Sequence, residues 1–165
     1  MESFSVNLDK LTQSEHDLLM KLVRKGSKAW KPEPSGHYFF IDGDGNVFQS
    51  RWASHSDGDG ADQCRYAFGN CYPSQVDAEF VVEKQKVLTE LQRYADKHNE
   101  EEIDWGNDDS HKYYICYDYS EEKIDIYSNQ FLQSDITYFT SSLIALMAIE
   151  AIGEGRIKKY LFNIG

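Results

Sequence analysis

Tyr72-Pro-Ser-Gln-Val-Asp-Ala-Glu-Phe80 opens a run that reaches His98 with no glycine and no further proline. Ser74 is a suitable N-cap, and Asp77, three residues on, supplies the acid of a capping box. Val76, Phe80, Val87, Leu88, Leu91 and Tyr94 recur at helical spacing as one apolar stripe. About 24 residues rising roughly 1.5 Å each make a rod of about 36 Å, enough to span a small domain. The strands on either side are expected to pack on the stripe, with Phe80 in the core.

On the N-terminal side, Tyr38-Phe-Phe-Ile41, Asp-Gly-Asp-Gly and Asn46-Val-Phe48 predict a β-hairpin, because Asp-Gly between apolar runs favours a tight turn. Ser50 to Asp62 is polar and glycine-rich and is expected to be a loop. Tyr66-Ala-Phe68 is expected to be a short strand. Further upstream, Thr12 and Glu15 form a second capping box ahead of Leu18, Leu19, Leu22 and Val23, and Gly26 closes that helix. Trp30-Lys-Pro-Glu-Pro-Ser-Gly36 is an extended linker, since each proline pushes its predecessor out of helical space. These signals predict an N-terminal helical arm over 1–29 and a single α+β domain over 30–165.

On the C-terminal side, Tyr113–Tyr119 and Lys123–Tyr127 alternate as a second hairpin around Ser120-Glu-Glu, and Ile136–Phe139 is a further strand. Thr140-Ser141 caps a helix over Leu143–Ile152, Gly153 to Gly155 breaks it, and Arg156–Phe162 is a final short helix. Tyr72-Pro-Ser-Gln-Val-Asp-Ala and Phe139-Thr-Ser-Ser-Leu-Ile-Ala align without a gap, and Glu83 then falls opposite Glu150. The two halves thus read as one pattern used twice: hairpin, strand, helix. That pattern predicts an α+β fold, one antiparallel sheet with helices mainly on one face.

The 165 residues carry 17 lysines and arginines against 28 acids, a formal net charge of −11. Such a chain is repelled by nucleic acid and anionic membranes and attracts basic partners, so neither direct nucleic-acid binding nor membrane binding is expected. The start from Met1 to Lys10 lacks the basic and apolar regions of a signal peptide, and no stretch reaches transmembrane length. Cys64, Cys71 and Cys116 form no CxxC pair and read as reduced thiols in a cytoplasm.

No catalytic set, cofactor site or metal site is expected. Asp42-Gly-Asp44-Gly-Asn46 resembles the start of a calcium loop, but Val47 and Ala53 stand where an EF-hand needs glycine and glutamate. Asp57, Asp59 and Asp62 in the glycine-rich loop leave weak binding of a divalent ion open. Asp118, Glu121 and Lys123 resemble the acids and lysine of metal-dependent nucleases, yet here they flank a turn, where such residues are ordinary hairpin chemistry. The five histidines show no zinc-binding spacing.

Two features stand out. Asp96, Glu100, Glu101, Glu102, Asp104, Asp108 and Asp109 face one base, Lys97, and Asp118, Glu121, Glu122 and Asp125 continue this acidic belt. It is either a solvated surface or an imitation of nucleic-acid phosphates that fits a basic groove. The second is Leu143-Ile-Ala-Leu-Met-Ala-Ile149, apolar on every side. Either it is buried throughout, or Leu143, Leu146 and Met147 meet a partner or a second copy in a homodimer.

Trp30-Lys-Pro, Tyr38-Phe-Phe-Ile-Asp, Arg65-Tyr-Ala-Phe-Gly-Asn-Cys-Tyr, Tyr94-Ala-x-x-His98-Asn, Ile103-Asp-Trp105, Lys112-Tyr-Tyr-Ile115, Ile152-Gly-Glu and Ile157-Lys-Lys-Tyr-Leu-Phe162 are similar to a set of small accessory proteins of phages and prophages of Gram-positive bacteria. The resemblance covers most of the chain from Trp30 onward. Over the apolar helix the chain departs from that set, whose members there are charged and one-sided. The resemblance implies a place among phage accessory proteins, a pool that includes anti-CRISPR inhibitors. The expectation is a non-enzymatic protein in the bacterial host's cytoplasm that inhibits a basic host defence protein, above all an RNA-guided nuclease. The alternatives are an oligomerising structural or replication accessory protein, and a metal-dependent nuclease.

Overall fold

In a computed structural model of the chain, the structure describes Thr12, Ser14 and residues 30–53, 60–107 and 110–165. The helix expected upstream of Gly26 lies outside them, apart from Thr12 and Ser14. The described residues are β1 (His37–Ile41), β2 (Val47–Arg51), α1 (Ala61–Ala67), α2 (Gln75–His98), β3 (Lys112–Asp118), β4 (Lys123–Asn129), β5 (Tyr138–Phe139), α3 (Ser142–Ile152) and α4 (Glu154–Leu161). The fold is α+β. Its strands form two antiparallel sheets where a single one was expected: β1-β2, and β4-β3-β5. The chain divides into two compact units.

The first unit comprises 30–40, 48–53 and 60–74 among the described residues. Tyr38 and Trp52 are buried and meet edge to face, and Tyr66 meets Trp52 in the same way. The segment expected to be a loop and a short strand holds α1 instead. An acid in its first turn, Asp62, and a base in its last, Arg65, suit the helix dipole. The Asp62 carboxylate accepts hydrogen bonds from the Tyr38 hydroxyl and the Ala53 amide. The Arg65 guanidinium lies 3.7 Å from the Phe40 ring centre. Burial and the Asp62 bond push the Tyr38 hydroxyl above its ordinary pKa. Asp62, one of the three loop acids considered for a divalent ion, is thus engaged in packing, while Asp57 and Asp59 lie outside the described residues.

The second unit comprises Ile41–Val47 and Gln75–Gly165. α3 lies on β3, β4 and β5, and α2 and α4 pack against it and against each other. Val87, Leu91 and Ala95 of α2, Ala145, Ala148, Ile149 and Ile152 of α3, Ile157 of α4, Ile115 and Phe139 form the core. The stripe on α2 differs from the expected one. Ala78 and Ala95 are buried, Phe80 is half-buried against the Tyr160 ring, and Val76 is 72 % exposed. Small residues let the helices approach closely, so the buried line runs through alanines as well as large apolar groups. Arg156 of α4 holds Glu90 of α2 with two bonds of 2.8 and 3.1 Å, which depresses the Glu90 pKa.

The internal repeat appears in the pairing. Phe39, in the first strand of the first hairpin, exchanges two backbone hydrogen bonds with Tyr72. Tyr113, in the first strand of the second, pairs with Phe139. Each aromatic precedes a helix by a few residues. An aspartate closes each hairpin turn: Asp42 accepts from the Asp44 and Asn46 amides, and Asp118 from Ser120 and Glu121. The first of these is the hairpin chemistry expected of the Asp-Gly-Asp-Gly segment.

Candidate acidic interface

The connection from α2 to β3 carries the belt. Glu100, Glu101, Glu102 and Asp104 are all exposed, while Asp108 and Asp109 lie outside the described residues. The three glutamates make no ion pair among the described residues. Asp104 accepts the Gly106 amide at 2.8 Å and so shapes the turn that follows.

Polar residues that the sequence reading passed over fasten this connection at both ends. Asn99 directly follows α2. Its side-chain amide donates to the Tyr138 carbonyl at 3.1 Å and accepts from the Thr140 amide at 3.0 Å. The side chain thus pairs with the β5 segment as a neighbouring strand would. At the far end Lys112, fully buried at the start of β3, donates to the Asn107 carbonyl at 2.7 Å. Its ammonium also lies 5.5 Å from the centre of the Trp105 ring, and that ring meets Tyr138 edge to face at 4.9 Å. Trp105 thus anchors the acid-rich connection.

Between these anchors lies a cleft of about 500 Å³, with Asp96, Glu100, Glu101 and Glu102 around Trp105 and Tyr138. Carboxylates beside aromatic faces suit the cationic heads and apolar stems of lysine and arginine. The remaining belt acids are elsewhere. Asp118 sits at the other end of β3, about 20 Å away at the usual rise of a strand. Hydrogen bonds from Ser120 hold its pKa below the usual carboxylate value. Glu121 pairs with Lys123, and Glu122 is exposed in the same turn. The belt is therefore two patches at opposite ends of one strand.

The apolar helix is neither wholly buried nor wholly exposed. Its alanine and isoleucine side meets the core, whereas Leu143, Leu146 and Met147 are 63 %, 47 % and 47 % exposed. Cys64, Cys71 and Cys116 are free thiols. Among the described residues no group of three or more histidine, cysteine or acidic side chains could hold a metal ion. No described helix is long and apolar enough to cross a membrane. No protein-family model, curated protein or solved structure matches this chain.

Proposed function

We propose that the protein is a non-enzymatic, phage-encoded inhibitor that lays its α2–β3 acidic patch into a basic groove of a host nucleic-acid-handling protein. An RNA-guided CRISPR nuclease is the foremost candidate. The observation that carries this reading is the stapled connection: Glu100, Glu101 and Glu102 are exposed and make no ion pair among the described residues, on a segment anchored by Asn99 and Lys112. Charges held in place lose less conformational freedom on binding than charges on a loose chain. A groove built for phosphates already favours them. The phage origin rests on the sequence resemblance alone.

The test replaces Glu100, Glu101 and Glu102 by lysine. All three are exposed, so the melting temperature should hold or rise as self-repulsion at a net charge of −11 is relieved. Three close charge pairs at about 1.5 kcal/mol each amount to roughly a thousandfold loss of affinity. Binding should also weaken with salt, because the Debye length falls from about 10 Å at ~0.1 M to about 3 Å at ~1 M. Capture from a bacterial lysate identifies the target, and inhibition of a purified guide-loaded nuclease measures the effect. A folded triple variant that inhibits as well as wild type would overturn the reading.

A further inference from the structure

α3 carries its one charged side chain at an unfavourable end. No acid stands in its first turn and no base in its last. Glu150, in the last turn, is exposed and makes no ion pair or hydrogen bond among the described residues. A carboxylate there adds to the negative end of the helix dipole. Glu150 also continues the exposed line of Leu143, Leu146 and Met147, since positions three, four and seven apart share one helix face.

A basic partner of the kind the acidic patch attracts gains little from a face of leucine and methionine. An anionic membrane is repelled by a chain of −11 and finds no lysine or arginine on α3. A second copy of the chain fits. If two α3 helices pack antiparallel about a two-fold axis between Leu146 and Met147, Leu146 meets the second copy's Met147. Leu143 then lies beside the second copy's Glu150. Each Glu150 carboxylate reaches the first turn of the facing helix, where backbone amides and the positive end of the dipole favour it. The charge that is misplaced within one molecule is complementary across two.

We infer that the outer face of α3 is a self-association surface, on which two copies pack antiparallel with each Glu150 at the other's helix N-terminus. This is independent of the acidic patch. The helix is 11 residues long, about 16 Å, so the contact falls below the roughly 1,000 Å² of a firm interface and the dimer is weak and reversible. Salt acts on it with the opposite sign to patch binding. Screening relieves repulsion between two copies of charge −11, so salt strengthens the dimer.

Sedimentation velocity over a concentration series, at low and high salt, tests this. Wild type should shift toward dimer as concentration and salt rise. Leu146→Glu should remain monomeric with unchanged circular dichroism, and Leu143→Gln repeats the test at a more exposed position should Leu146→Glu not fold. Glu150→Lys separates this arrangement from generic apolar sticking. Lysine suits a helix C-terminus, so the monomer's melting temperature should hold or rise, while both symmetric contacts are lost and association weakens about tenfold. A wild type that stays monomeric to about 1 mM at high salt overturns the surface. So does a dimer indifferent to both leucine changes. A Glu150→Lys dimer as tight as wild type overturns the antiparallel arrangement.

Discussion

Replacing Asn99 by alanine tests whether the acidic connection is stapled or merely drawn alongside the sheet. The asparagine amide makes two bonds of ordinary length, to the Tyr138 carbonyl at 3.1 Å and from the Thr140 amide at 3.0 Å. A third, from the Thr140 hydroxyl at 3.4 Å, is long enough to add little. Both backbone partners belong to the segment around β5, next to the fully buried Phe139. Losing two such bonds at about 1 kcal/mol each costs about 2 kcal/mol, since water can reach this half-buried site and replace part of what is lost. For a chain of 165 residues that is a fall of about 4–8 °C in melting temperature. The helix itself should survive, because the Asn99 backbone amide still reaches the Ala95 carbonyl at 2.9 Å. Thermal unfolding by circular dichroism reads the first effect, and hydrogen exchange at the Thr140 amide reads the local one. A variant that melts within about 1 °C of wild type, with Thr140 equally protected, would refute the staple.

Phe139, fully buried between sheet and helices, should cost about 3–5 kcal/mol on truncation to alanine, measured by urea unfolding. Asp118 is held below its ordinary pKa by the Ser120 bonds, so its contribution is present above the unfolded carboxylate pKa and is lost as pH falls through the folded one. The gap in melting temperature between wild type and Asp118→Ala should therefore hold from neutral pH down to about pH 4 and narrow below it, and a gap that stays constant in stronger acid would show that the turn does not depend on the carboxylate.

The long helix and both hairpins were legible because their signals are local. The helix over Gln75–His98 follows a capping residue and runs unbroken until its apolar pattern ends. The first hairpin announces itself by Asp-Gly between two apolar runs, the second by alternation around a turn. α1 was not legible for the opposite reason. It buries no residue of its own, and what fixes it is Asp62 and Arg65 meeting Tyr38, 24 and 27 residues earlier in the chain. The α2 stripe was misdrawn where alanine does the packing, because a count of large apolar residues passes over Ala78 and Ala95. The uniform apolarity of α3 was visible, but its division into a buried alanine and isoleucine side and an exposed leucine and methionine side depends on where the sheet lies. In the acidic connection the carboxylates were readable as charge. Asn99 and Lys112 were not, since a lone asparagine or lysine in sequence reads as surface, and only the fold turns one into a strand surrogate and the other into a buried clasp.

The strand register also carries a consequence for the order of folding. β3 is the central strand of its sheet, and its two neighbours both follow it closely in the chain, so Tyr113 finds Ser128 and then Phe139 by closing short loops. The Glu90–Arg156 clasp, by contrast, bridges 66 residues. Short closures come first on entropic grounds, so the ladder of β3 can assemble while the C-terminal helix is still searching for α2. In the native state the same asymmetry runs backwards. α4 pairs with no strand and is held mainly by neighbouring helices, so it can detach without disturbing any strand pairing. Its amides should exchange with solvent through this partial opening, well before those at the centre of β3.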